Sequence, residues 1–218
     1  MSTQTEHKIN LYYSPGACSL APHIILHASG LPFTVTKSDV TKPFSPEYAK
    51  LNPKKQVPFV ELQPGVILTE IPAIMTAISQ LVPDKKFLGE PGMEVLRTYE
   101  WMNYLSGQLH ARRFGVFFRP QRYVSDEKLY PMIKEVALGN IREAFGVVEE
   151  KLKDQPPVDP ESIRVVDAYL FVFFRWARNI GIDVEKEFPS YYARMIEVSK
   201  IEAVVKATEM EEIKLLGG

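Results

Sequence analysis

The chain has 218 residues, 45% hydrophobic and 24% charged, with a formal net charge of -1. That is enough apolar material for one large core or two small ones, and the neutral balance gives no electrostatic footing for nucleic acid or a membrane surface. One cysteine excludes an intramolecular disulfide, and no signal core or apolar run of about 18 residues is present, so the expected location is the cytoplasm. Residues 1–7 are polar and expected to fray. From residue 8 to 83 strands and helices alternate: a strand over 9–13, a helix over 17–29, a strand over 33–39, a short helix over 46–51, strands over 57–62 and 66–69 flanking Gln63-Pro64-Gly65, and a helix to about 83.

The order β-α-β-α-β-β-α is that of a thioredoxin-like α/β domain. Residues 84–92, with Lys85-Lys86 and Gly89-Glu90-Pro91, read as a linker. Beyond it only helical periods occur, over 93–114, 131–153, 165–180 and 189–208, so residues 93–218 form an all-α domain. The Phe171, Phe173, Phe174 and Trp176 helix is apolar nearly all round, as a core helix is.

Four places carry possible chemistry. Cys18 falls in the first turn of the first helix, after Ser14-Pro15-Gly16, where the helix dipole favours an anion and lowers a thiol pKa; a small buried hydrophobe is the plain alternative. Val57-Pro58 stands at a strand start, where a cis bond would present the Val57 backbone to an extended peptide, unless Pro58 is an ordinary edge-strand proline. Glu70 precedes the helix opened by Ile71-Pro72-Ala73, a junction suited to an amino-acid head group, though a carboxylate there also favours the helix start by charge alone. Tyr99, Asn103, Ser106 and His110 share one face at a helical period, with His110 able to orient substrate or exchange a proton, or to be merely solvated or packed. His23 and His27 are spaced for a metal but lack further ligands, so no metal is expected. Phe117, Phe118 and Tyr123 are candidate pocket walls or plain packing, and Arg112-Arg113 a contact for an acidic ligand or partner or simply a solvated face.

Five ordered blocks resemble the cytosolic glutathione S-transferases, most similar to the beta class best known from bacteria. They are Tyr13-Ser14-Pro15-Gly16-Ala17-Cys18-Ser19-Leu20-Ala21-Pro22-His23, Asn52-Pro53-Lys54-Lys55-Gln56-Val57-Pro58, Leu68-Thr69-Glu70, Trp101-Met102-Asn103-Tyr104 with Leu109-His110, and Asp167-Ala168-Tyr169-Leu170. The resemblance implies a thioredoxin-like domain followed by an all-helical one, a homodimer, glutathione as co-substrate with no metal, and partners limited to glutathione and a small apolar electrophile or disulfide. It implies Cys18 and His110 as catalytic residues, and Val57, Pro58, Glu70, Ile71, Asn103 and Lys42 as glutathione-binding ones. Three positions depart from the family: Ile71 lacks a hydroxyl, Ala111 stands where lysine is common, with Arg112 a substitute only if the helix register permits, and Arg164 replaces the Ser or Thr cap, leaving Asp167 or Ser162 to cap that helix.

The implied activity is conjugation of glutathione to small apolar electrophiles, with reduction of mixed disulfides through Cys18 ranked close behind. The competing reading is a non-catalytic protein of the same fold that carries apolar ligands or docks a protein partner, favoured by the thinned polar clamp at Ile71 and Ala111.

Overall fold

A computed structural model describes residues 8–159 and 163–218; residues 1–7, expected to fray, and Ser162, one of two expected caps, lie outside the described residues. The first half folds as β1 (Ile9–Tyr13), α1 (Leu20–Ser29), β2 (Phe33–Lys37), α2 (Pro46–Leu51), β3 (Phe59–Gln63), β4 (Val66–Thr69) and α3 (Ile71–Leu81), the expected order. The strands form one mixed sheet in the order β2-β1-β3-β4, with β1 parallel to β2 and antiparallel to β3, and β3 antiparallel to β4. The hairpin closes at Pro64-Gly65, where Gly65 has φ 77, the left-handed conformation that glycine adopts without a Cβ clash.

Leu20, Ala21, Ile24, Ile25 and Leu26 on α1 are fully buried. Each large side chain so placed contributes about 1.5–3 kcal/mol. The helix is apolar on more than one face because it packs on α3 and also on two helices of the second half.

That half contains α4 (Met93–Asn103), a π-wound stretch (Tyr104–Phe114), α5 (Gly115–Phe118), α6 (Tyr130–Leu152), α7 (Val165–Asn179), α8 (Val184–Glu187), α9 (Pro189–Val198) and α10 (Glu202–Met210). Helix α7 is its axis: Ala168 through Phe174 are buried without a break, and it touches α1, α4 and α9. The segment between the halves is packed rather than slack, with Phe87 buried and its carbonyl accepting from Val165 N–H at 3.1 Å.

Three expectations change. The period over 93–114 is not one α-helix, since α4 gives way to π winding with i→i+5 hydrogen bonds; Gly115 N–H donates to the His110 carbonyl, and a Cβ on Gly115 would stand 3.2 Å from that oxygen. The last expected helix is two, because the Ser199 hydroxyl donates to the Ile196 carbonyl at 2.8 Å and Ile201 is extended. Asp167 does not cap α7: its carboxylate is held by Arg194 at 2.7 and 3.2 Å, and the Arg164 side chain turns instead to the Lys86 carbonyl and Glu94.

Candidate active site between the sheet and the helical half

The Cys18 segment is held from both sides. Ser14 N–H donates to Ser19 Oγ at 3.1 Å and Ala17 N–H to the Ser14 carbonyl at 3.0 Å, which curls the chain before α1. Gly16 takes φ 67; its N–H donates to Glu211 Oε2 at 2.8 Å, and its carbonyl accepts from Trp176 Nε1 at 2.8 Å. Glu211 also meets His23 Nδ1 at 2.9 Å in a wholly buried pair. A turn of the α/β half is thus pinned to α7 and to the chain after α10.

Cys18 lies just before the N-cap Ser19 and not inside the first turn. Its thiol is buried and donates to the Val57 carbonyl at 3.5 Å. Burial pushes the thiol up to about 12, outweighing the Cys18 and Ser19 N–H groups and the Arg119 charge, which act in the opposite direction. The lowered pKa expected from a helix start is therefore overturned: the desolvation of a buried sulfur exceeds the pull of two amides and one guanidinium.

The Val57-Pro58 peptide is cis. Among the described residues the Val57 N–H has no intramolecular partner, while its carbonyl faces Cys18. Glu70 has φ 72, a conformation disfavoured for a side chain with a Cβ and of the kind that persists where the surroundings enforce it. Its carboxylate pairs with Lys54 Nζ at 2.7 Å, and the same ammonium donates to Thr69 Oγ1 at 2.8 Å. Ile71 is buried in the core, which accounts for an apolar residue there.

The expected stripe on the fourth helix splits in two where π winding adds about a residue to each turn: Ser106 and His110 both meet Tyr169, while Tyr99 and Asn103 lie on another face. Tyr99 and Asn103 line an open groove of about 480 Å³ with Leu68, Pro72 and Thr76, on the face between α3 and α4. His110 points elsewhere, its Nδ1 3.4 Å from Tyr169 Oη and its ring 5.3 Å from Trp176. Desolvation, with a smaller push from Arg119, lowers the His110 imidazole to about 4, so it is neutral at pH 7. Lys42 sits on the loop after β2, beside Asp39 at 3.5 Å, and the same loop touches Ser14 through Val40 N–H.

The structure thus gathers Cys18, Val57 and Pro58 at one place and brings His110 toward them through Tyr169, with Glu70 within electrostatic range of both Tyr169 and His110. Asn103 and Lys42 lie apart. Arg112 is exposed, and Arg113 is tied to the Asn140 and Gln108 carbonyls. Arg119 was not singled out by sequence reasoning, and Trp176, Tyr169 and Lys54 were noted there only as a core residue and as members of resembling blocks, with no role in the site. Trp176 and Tyr169 were hidden inside an apolar helix, and a lone arginine before Pro120 carries no spacing signal. Phe118 packs edge-on against Trp176 at 5.3 Å, and Phe114 packs on the same indole; Tyr123 remains exposed. His23 and His27 stack at 5.1 Å, and no group of metal-ligating side chains occurs among the described residues.

Residues 16–81 match the family model described as glutathione S-transferase, N-terminal domain. Over 205 residues the chain is 33% identical to glutathione S-transferase GstA of Escherichia coli O157:H7, covering 91% of this chain and 98% of that one. A bacterial beta class glutathione S-transferase from Sphingomonas chungbukensis superposes with TM-score 0.81 at 29% identity, covering 94% of this chain and all of the other. A sphingomonad glutathione S-transferase complexed with glutathione superposes with TM-score 0.80 at 27% identity and the same coverage. With the mixed four-stranded sheet, the helical half and a relative matched over nearly its whole length, the chain belongs to the glutathione S-transferase family.

Proposed function

We propose that this protein is a glutathione transferase that joins the sulfur of glutathione to small apolar electrophiles, with residues 8–83 holding the tripeptide, 84–92 linking, and 93–218 carrying the acceptor site. The observation that carries the reading is the pairing of an unpartnered Val57 N–H with a Val57 carbonyl that faces the Cys18 thiol. A donor and acceptor so placed bind the backbone of an extended peptide as an added strand edge, and set its central side chain beside Cys18. Glu70 and Lys54 offer opposite charges for the zwitterionic γ-glutamyl end. Their mutual pair is exposed and therefore easily exchanged for ligand contacts. Lys42, whose loop touches Ser14 through Val40 N–H, is the cation this reading assigns to the glycyl end, reached by its long exposed side chain.

Cys18 acts in this reading as a neutral S–H donor to the sulfur of glutathione rather than as the attacking nucleophile, because burial keeps its proton in place. Glutathione loses its thiol proton to solvent; the resulting thiolate forms the C–S bond as the leaving group departs with its electron pair. His110 and Tyr169 orient the site in this reading, an imidazole lowered to about 4 by burial being too weak a base to hold the thiol proton. Phe118 and Trp176 give the acceptor an apolar wall. Disulfide reduction through Cys18 is the second reading and requires the thiol to ionise on ligand binding.

Asn103 reaches a glutathione only across an interface, since it lies on the α3/α4 groove. Leu81, Met93 and Leu96 are exposed apolar side chains on the same two helices, as a homodimer face requires. Among the described residues no helix is long and apolar enough to cross a membrane; the location in this reading is the cytoplasm. The test is the rate of thioether formation between glutathione and an aryl halide. We expect a rate that saturates in glutathione and falls, without vanishing, in Cys18→Ala; a rate equal to the uncatalysed one refutes the reading.

A further inference from the structure

Among the described residues the buried guanidinium of Arg175, on α7, has only carbonyl partners. Its Nε donates to the Lys214 and Leu215 carbonyls at 3.2 and 3.1 Å, and its Nη2 to the Lys214 carbonyl at 2.9 Å. The third nitrogen, Nη1, is buried without a partner and lies against the Gly16 turn, where a Cβ on Gly16 would stand 3.5 Å from it. Glu211 is the anion that offsets the burial electrostatically, yet its carboxylate is engaged by Gly16 N–H and His23. A buried charge is costly, and an apolar side chain of similar volume often serves stability as well. What the guanidinium adds is orientation of the segment whose carbonyls it holds.

That segment, residues 211–218, forms a strap along α7. Ile213 N–H donates back to the Thr208 carbonyl at 3.1 Å, and Ile213, Leu215 and Leu216 pack on the core. One turn beyond Arg175, Asn179 Oδ1 accepts from Gly218 N–H at 2.6 Å. Gly217 has φ 74, and a Cβ on it would stand 2.9 Å from the Arg175 carbonyl, so the strap lies too close to α7 for any other residue there. At the start of the strap Glu211 takes the N–H of Gly16, while Trp176, the residue after Arg175, donates to the Gly16 carbonyl. Both polar atoms of Gly16 are therefore gripped, one by the strap and one by α7, and Arg175 ties the strap to α7. Two residues further on, Cys18 Sγ faces the Val57 carbonyl.

We infer that Arg175 is a positioning residue for the transferase reaction: by tying residues 211–218 to α7 it closes a ring of contacts around Gly16 and fixes where Cys18 presents its S–H to the sulfur of glutathione. The inference rests on the transferase reading and deepens it. Arg175 is buried and acts through Glu211 and Gly16 rather than on the ligand. A planar guanidinium suits the task, because its fixed fork holds two successive carbonyls at once, whereas an ammonium is a flexible point donor. Without the fork the strap keeps Asn179 and its apolar contacts, and the hold of Glu211 on Gly16 loosens.

The test measures kcat and KM for thioether formation between glutathione and an aryl halide in the parent, Arg175→Met and Arg175→Lys proteins, each with and without Cys18→Ala. Methionine fills the volume without the donors. We expect Arg175→Met to lower kcat by about tenfold with KM for glutathione held, as follows when a group at the reacting centre is slightly displaced. Arg175→Lys should lose less, and neither change should lower the rate further in the Cys18→Ala background, since changes that act through one group do not add. An unchanged kcat in Arg175→Met overturns the inference and leaves the transferase reading intact. Equal losses with and without Cys18→Ala also overturn it and leave Arg175 a general structural role. Should Arg175→Met not fold, hydrogen exchange in the parent decides: the Gly16 and Ile213 amides should show protection equal within about tenfold, as one opening unit does, whereas a Gly16 amide protected well beyond that shows a turn that stays closed when the strap opens, and overturns the inference. A parent rate no faster than the uncatalysed one refutes the transferase reading itself, and this inference with it.

Discussion

Glu211 is the residue whose removal most sharply tests how the Cys18 turn is held. Its carboxylate is almost wholly buried and accepts from Gly16 N–H at 2.8 Å while meeting His23 Nδ1 at 2.9 Å. Hydrogen bonds to a charged acceptor are worth about 1.5–3 kcal/mol each, and stripping one partner from a buried charged pair costs about 3–5 kcal/mol. Glu211→Ala leaves Gly16 N–H and His23 Nδ1 without acceptor or partner, so the expected loss is about 3–5 kcal/mol. Glu211→Gln keeps an oxygen for Gly16; its amide can donate to His23 Nδ1 only if the imidazole proton moves to Nε2, an atom already buried without a partner. The expected cost of that variant is about 1–2 kcal/mol. Urea unfolding followed by circular dichroism reads both values, and alkylation of Cys18 reads the turn: it should quicken in Glu211→Ala as the sulfur gains exposure. If the alanine variant unfolds within about 0.5 kcal/mol of the parent, with Cys18 no more reactive, the carboxylate does not hold the turn and the reasoning fails.

The remaining predictions concern charge. Because burial holds His110 at about 4, the unfolded chain takes up its proton before the folded one as pH falls below about 6.5, and stability drops by about 1–2 kcal/mol between pH 7 and pH 5. His27, lowered to about 4 by burial and by His23, acts with the same sign; unfolding midpoints at the two pH values should differ less in His110→Gln than in the parent. Arg194→Ala strips the partner from the buried Asp167 carboxylate and should cost about 3 kcal/mol in urea unfolding, with Asp167→Asn milder. Lys54→Met frees Glu70 on the exposed rim, so glutathione affinity measured by calorimetry should change by less than about tenfold while stability is unaltered.

Much of the fold was legible because it rests on local signals. Turn residues such as Pro64-Gly65 and the alternation of the strands place β1, α2 and β4 to the residue, and the unbroken apolar run from Ala168 to Phe174 marks the central helix. What was not legible depends on non-local accounting. A period of 3.6 residues put Asn103 and His110 on one face, whereas the stretch that separates them is π-wound and packs against α6 and α7, which no local pattern announces. A helix start argued for an acidic thiol at Cys18, but desolvation depends on every neighbour and won. Val57 and Glu70 were visible as motifs; Lys54, Arg175 and Trp176 gain meaning only once the chain brings them beside residues far away in sequence.

The account stands most directly on where glutathione sits, and a crystal structure of the complex measures it. The predicted result is a tripeptide whose cysteinyl backbone exchanges hydrogen bonds of about 2.7–3.2 Å with Val57 N–H and C=O, with its sulfur beside Cys18 Sγ and its γ-glutamyl end at Glu70. A tripeptide bound away from Val57, or one whose sulfur points away from Cys18, would contradict it.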